Sequence, residues 1–443
     1  MIPRNACGPS FRSQAKFDHQ YNEAIVKTQP SNQNNNSTRR GTLLPAIAFS
    51  LLVVAAASAL VMNKLWIDAA EIELQNVAEA TALAAAGDYL GDELLKPGFD
   101  ADAAVEQAKQ RAAQVAASNL VGGQPVSLTI TGDDTDIVFG RRVDNGIDPE
   151  TVFLLTNKNP SVVEVRASRS RDLGNPINLF YPGVTKRAYA DATMIVEVTF
   201  DNHIDHFVAA PARPIPALPL AILANDPLGK RTDTWANMIE AANGADEYAY
   251  NEVTHEVVKQ SDGIPEITLR SVPLKSDPLK GNVQLLDFNN ELNDQKIIQQ
   301  INNGLTQLDM KPWNNRLQAQ EEMQITGLGN ITTPIQFAME SQIGQQRLCL
   351  LYNQATAIDV PGWTSLSCEG VVAIRILRVI PESGEAATVI VQPTVLTTKS
   401  AVLTQFFNEM ADYPNLPPNL ARMMIEPKTN EPNKYVYKIY VSR

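Results

Sequence analysis

The 21 residues from Thr42 to Met62 carry no charged side chain. As a helix rising about 1.5 Å per residue, such a run covers the roughly 30 Å hydrocarbon core of a bilayer. It therefore either spans a membrane or serves as a secretion signal. Pro45 falls in the first turn, where its missing N–H costs little. No turn residue follows Met62. Instead Ile67, Ala70, Leu74, Val77 and Thr81 recur at three- and four-residue steps, with Glu71, Glu73, Gln75, Asn76 and Glu79 between them. The pattern predicts one continuous helix, apolar on all sides to Met62 and amphipathic from Asn63 to about Leu90.

Arg39 and Arg40 precede the run, whereas Lys64 beyond it is outweighed by Asp68, Glu71 and Glu73. The positive-inside rule then puts residues 1–40 in the cytoplasm and the main body outside it. A mean hydropathy of -0.16 excludes a polytopic membrane protein, so one span is expected. Ala57-Ser58-Ala59 resembles a signal-peptidase site. However, 40 residues would precede the apolar core, and apolar Leu60, Val61 and Met62 continue where a polar cleavage region belongs, so a retained anchor is the favoured reading.

The fold class expected is α+β: a single transmembrane helix continuing into a long amphipathic helix, then two mixed α/β extracytoplasmic units. "TQPSNQNNNST" (28–38) makes 1–40 a disordered cytoplasmic tail. The transmembrane helix occupies 41–62. A second Ala-rich helix over about 100–120, closed by Gly122-Gly123, pairs with the first. "PVSLTIT", "DIVFG", "SVVEVRAS" and "ATMIVEVTF" alternate as strands, giving a helix pair plus an antiparallel sheet of about four strands over 63–208. "AAPARPIPALPL" (Ala209–Leu220) reads as an extended linker or edge segment, a Pro-rich boundary over 209–224. From 225 to 443, helices ("TWANMIEAAN", "DQKIIQQINNGL", "AVLTQFFNEMAD") mix with strands ("VTHEVV", "GNVQLLDF", "GVVAIRILRVI", "ATVIVQPTVL", "KYVYKIYV") in a second α+β domain.

Chemistry is sparsely signalled. The net charge is -12, yet residues 1–40 hold six basic against two acidic side chains, so the body is acidic and no nucleic-acid partner is expected. His203 and His206, with Asp201 and Asp205, are the best metal-like cluster. On a strand end the two imidazoles point to opposite faces, and two ligands are too few for zinc even if His255 is near. "GDDTD" (Gly132–Asp136) lacks calcium-loop spacing and reads as an acidic turn. No G-x-S-x-G, H-E-x-x-H or G-x-x-x-x-G-K-[ST] occurs. No catalytic, cofactor-binding or metal residue is assigned, and no enzyme is expected. Cys7 would lie across the membrane from Cys349 and Cys368. Those two, with eighteen residues between them, are either a disulfide or two buried thiols.

Arg39-Arg40-Gly41, the uncharged run, Asp68, and the stretch Leu74-Gln75-Asn76-Val77-Ala78-Glu79-Ala80-Thr81-Ala82-Leu83-Ala84-Ala85-Ala86 resemble the N-terminal region of TadE/TadG-like proteins of tight-adherence (Flp-type) pilus systems. "DDTDIVFGRRVDNG" (Asp133–Gly146), "VEVRASRS" (Val163–Ser170), "GNPINLF" (Gly174–Phe180) and "PIPALPLAI" (Pro214–Ile222) extend the likeness over about 39–222. Five residues after Gly41 stands Ala46, where processed pilin precursors keep a Glu. No D-x-S-x-S metal motif of the von Willebrand type is present. Neither processing nor a metal-dependent adhesion site carries over.

The resemblance implies a single-pass protein of the bacterial inner membrane, N-terminus cytoplasmic and body periplasmic. It would support pilus biogenesis or surface attachment, with the lipid bilayer and other pilus-assembly or envelope proteins as partners and no cofactor. The alternative is an anchored binding module whose C-terminal domain recognises a cell-wall polymer or envelope protein. That alternative requires residues 225–443 to fold and bind alone.

Overall fold

The structure is a computed structural model that describes residues 43–132, 134–143, 152–226, 228–273, 275–288, 293–383, 385–404 and 431–442. The expected tail, with Arg39, Arg40 and Gly41, lies outside the described residues. Within them the architecture is mixed α/β. Helix α1, Leu43–Tyr89, runs without a break, as the missing turn signal implies, and it is long and apolar enough to cross a membrane. In the unit that ends at Ser58, Leu44, Phe49, Leu52 and Val54 are exposed. That surface is costly in water and not in lipid.

The unit beginning at Ala59 holds the rest of the chain's described residues and contains two apolar cores. In the first core α1 buries the stripe Ala70, Leu74, Val77, Ala78, Ala82 and Ala85. Helix α2, Ala101–Ser118, contributes Val105, Ala108, Ala112 and Ala116. The two Ala-rich stripes thus line the same core, although the helix backbones do not run closely side by side. Asp100 caps α2, its Oδ1 accepting the Asp102 and Ala103 N–H groups at 3.1 Å.

Tyr89, at the end of α1, stacks among Phe99, Phe139 and Phe200 with ring centroids 6.2, 5.5 and 5.7 Å away. Burial pushes its hydroxyl up to about 12, and burial does the same to Tyr435 in the second core. An unfolded tyrosine ionises near about 10. Between those values the unfolded chain loses protons that the folded chain keeps, so stability is full below about pH 10 and declines toward pH 12. The denaturant midpoint is expected to fall over that window and to fall less in Tyr89→Phe. A midpoint unchanged between about pH 9 and about pH 11.5 contradicts this assignment.

The first sheet has six strands in the order 396–397, 436–441, 192–201, 162–169, 137–143, 152–155. Val163, Val165 and Ala167 alternate into the core beside Val196 and Val198. Three of the four expected strands are present. "PVSLTIT" is not a ladder strand beyond Pro125. Asp136 holds its middle instead: Thr129 donates from its backbone N–H to Asp136 Oδ2 at 2.8 Å and its carbonyl accepts from the Asp136 N–H at 2.7 Å. Two strands unforeseen here come from the C-terminal part. Val436–Val441 pairs antiparallel with 198–201, and Leu396–Thr397 joins it in parallel.

The second sheet orders its seven strands 267–270, 386–393, 363–382, 323–328, 283–286, 217–223, 346–357. The 20-residue strand Trp363–Glu382 pairs with both 323–328 and 346–357. Five strands thereby close into a ring, which removes their free edges.

This ring corrects the linker reading. Ala217–Leu223 is a strand buried at all seven positions and paired on both sides. Proline suggested an extended tether because it cannot donate to a ladder. Pro219, however, falls where pairing with 346–357 is interrupted, between Ala217 and Ala221, so no donor is missed. One helix expectation fails and a second is contradicted only at its start. "TWANMIEAAN" forms only a π-helical turn, Ala236–Glu240. "AVLTQFFNEMAD" begins as the strand Ala401–Leu403, and its remainder past Thr404 lies outside the described residues. "DQKIIQQINNGL" is the helix Asp294–Asn303, as expected.

Candidate functional site

The sequence-derived candidates do not converge. His203 Nδ1 lies 2.7 Å from Asp201 Oδ1, and His206 Nδ1 lies 2.8 Å from Asp205 Oδ2. His255 sits in another turn, with its Nδ1 3.2 Å from the Tyr250 hydroxyl. Each imidazole is thus held by a sequence neighbour. Among the described residues no group of three or more His, Cys, Asp or Glu is arranged to hold a metal ion. In "GDDTD", Asp134 pairs with Arg166 at 3.3 Å and Asp136 serves Thr129, while Asp133 lies outside the described residues.

Cys349 and Cys368 are buried free thiols on neighbouring strands, so no disulfide joins them. The Cys349 thiol donates to the Leu220 carbonyl at 3.1 Å. Burial pushes the Cys368 thiol up to about 12 and the Cys349 thiol higher still. Thiols held protonated in this way are poor nucleophiles and belong to the core.

One buried ion cluster joins the two cores. Arg375, 2% exposed, donates to Asp92 Oδ2 at 2.8 Å and to the Gly344 carbonyl at 2.7 Å, and its guanidinium lies 3.8 Å from the Tyr250 ring. Asp92 Oδ1 also accepts from Thr394 Oγ1 at 2.6 Å and from the Val395 N–H at 2.8 Å. Asp92 lies three residues beyond Tyr89, the last residue of α1, so this cluster ties the chain just past the helix end to the second sheet.

A cleft lies beside the first residues after the uncharged run. Ile177–Asn178 and Tyr189–Ala190 pair as a small hairpin whose tip includes the turn Pro182–Thr185. Asn63 clamps it: its Nδ2 donates to the Tyr181 carbonyl and its Oδ1 accepts the Tyr181 N–H, both at 3.1 Å. Trp66 donates from Nε1 to the Asn178 carbonyl at 3.0 Å and stacks on Phe180 with ring centroids 4.8 Å apart. Both polar atoms of this buried asparagine thereby have a partner, which offsets the cost of burying them.

Between helix and hairpin opens a cleft of about 1150 Å³. It is lined by Leu60, Asn63, Lys64 and Ile67 of α1, by Arg171, and by residues 185–191. Lys64 pairs with Asp68. Arg171 pairs with Asp191 at 3.0 Å and holds that carboxyl below its ordinary range.

No protein-family model, curated protein or solved structure matches this chain. What the cleft does is therefore argued from its own residues. Cys349 and Cys368 are not among its lining residues, and the flank residues Arg39, Arg40 and Gly41 lie outside the described residues. Sequence reasoning passed over Lys186, Arg187 and Tyr189, although "FYPGVTKRAY" concentrates aromatic and basic side chains in one loop, a signal that was available.

Proposed function

We propose that the protein is a single-pass, non-enzymatic envelope component of the bacterial inner membrane, with the tail cytoplasmic and the body periplasmic. It resembles the TadE/TadG-like proteins and supports pilus biogenesis or surface attachment together with other envelope proteins. The observation that carries this reading is helix α1, exposed and apolar in its first part and buried along one stripe in its second. In this reading, the parts on either side of the 209–224 segment act together as the extracytoplasmic body.

Fractionation tests the proposal. The full chain is expected to sediment with membranes and resist alkaline extraction. In spheroplasts, added protease should cut beyond residue 63, and loss of the chain should reduce attachment. Recovery in the soluble fraction, or a mature N-terminus near Leu60, overturns the reading. Val53→Arg, near the middle of the run, should add about 2.5–3.5 kcal/mol to insertion and shift the chain measurably out of the alkali-resistant pool.

A further inference from the structure

We propose that the cleft beside Asn63 binds the phosphate headgroup of an anionic phospholipid. The proposal rests on reading α1 as a membrane span. Asn63 is the first residue after the uncharged run, so residues 63–67 lie within about 8 Å of its end along the helix. That depth is the headgroup layer.

The side chains there fit that layer. Lys64 and Arg171 are answered by Asp68 and Asp191, whereas Lys186 and Arg187 are exposed and form no ion pair among the described residues. Lys186 and Arg187 line the same cleft as Asn63 and Lys64, so two unanswered cations stand beside the residues that follow the apolar run, where they can pair with an anionic headgroup. Phe180, Tyr181, Val184 and Tyr189 of the same hairpin are exposed as well. Tyrosine and tryptophan favour the boundary between hydrocarbon and water, and Trp66 braces this face from α1. A soluble anion would use the cations alone. Leu60 and Ile67 in the wall, and a volume of about 1150 Å³, suit a headgroup with its glycerol and the tops of its chains.

The test uses the full chain in detergent, mixed with equal amounts of phosphatidylglycerol and phosphatidylcholine, with retained lipid counted by native mass spectrometry. The unmodified chain should keep one phosphatidylglycerol about tenfold more often than phosphatidylcholine. K186E/R187E should lose that preference, and K275E/K280E, an equal charge change elsewhere, should keep it. Equal retention of the two lipids by the unmodified chain overturns the proposal without any variant, as does preference surviving in K186E/R187E. Displacement of the lipid by inorganic phosphate or glycerol phosphate also overturns it, showing a soluble-anion site. Failure of the anchor itself would appear separately, as a chain that stays soluble without detergent.

Discussion

Expressed alone, residues 225–443 should give no cooperative thermal or denaturant transition, whereas residues 59–443 should give one. The fragment lacks Ala217–Leu223, a strand of the closed ring hydrogen-bonded on both sides. Leu218, Leu220, Ile222 and Leu223 are each at most 7% exposed there. At about 1.5–3 kcal/mol for each side chain buried, their loss removes about 6–12 kcal/mol, against a net stability of about 5–15 kcal/mol for a folded protein. The fragment also loses Ile204–Val208, which lies between 316–318 and 401–403, and the partner of Val436–Val441. Circular dichroism and hydrogen exchange would show the difference. A sharp transition in the isolated fragment would refute the argument and revive a self-sufficient C-terminal binding module.

Asp92→Ala is expected to cost about 3–5 kcal/mol, because it leaves the Arg375 guanidinium buried without its closest carboxylate. Glu252, 3.3 Å away but largely exposed, replaces little of that partner. Pairing Asp92→Ala with Arg375→Met should recover part of the loss, since the charge disappears while the stem's volume stays. Recovery should be incomplete, because Thr394 and the Val395 N–H still lose their acceptor, at about 1 kcal/mol each. Denaturant titrations of both variants measure the coupling. If Asp92→Ala matches the parent within about 0.5 kcal/mol, the cluster does not hold the helix end to the sheet.

Local rules reached part of this fold. The unbroken α1, the capped α2 and the strands 137–143, 162–169 and 192–201 follow from periodicity and the absence or presence of breakers, which act between near neighbours. The ring strand Ala217–Leu223 was illegible for a definite reason: its four-proline surroundings carry the composition of a tether, and only the bulge at Pro219 reconciles proline with a buried ladder. Of Trp363–Glu382, only Gly370–Ile380 reads as a strand, since the first part buries Thr364 and leaves Trp363 part-exposed, which spoils the apolar–polar alternation, and it serves two partners at once. The cleft beside Asn63 has the same cause of concealment. Its clamp joins Asn63 to Tyr181 across 118 positions, and no local pattern encodes that meeting.

The return of Val436–Val441 to the first sheet has a consequence in time. Asp201 meets Lys438, so at about 5–20 residues per second the ribosome needs about 12–50 seconds to supply the second after the first. Throughout that delay the strand Ala192–Asp201 shows one bare edge, at a stage when its neighbour 162–169 can already be in place. Bare edges recruit whatever strand arrives first. Newborn chains crowded together would thus be exposed to pairing with each other, and slower synthesis would lengthen the exposure.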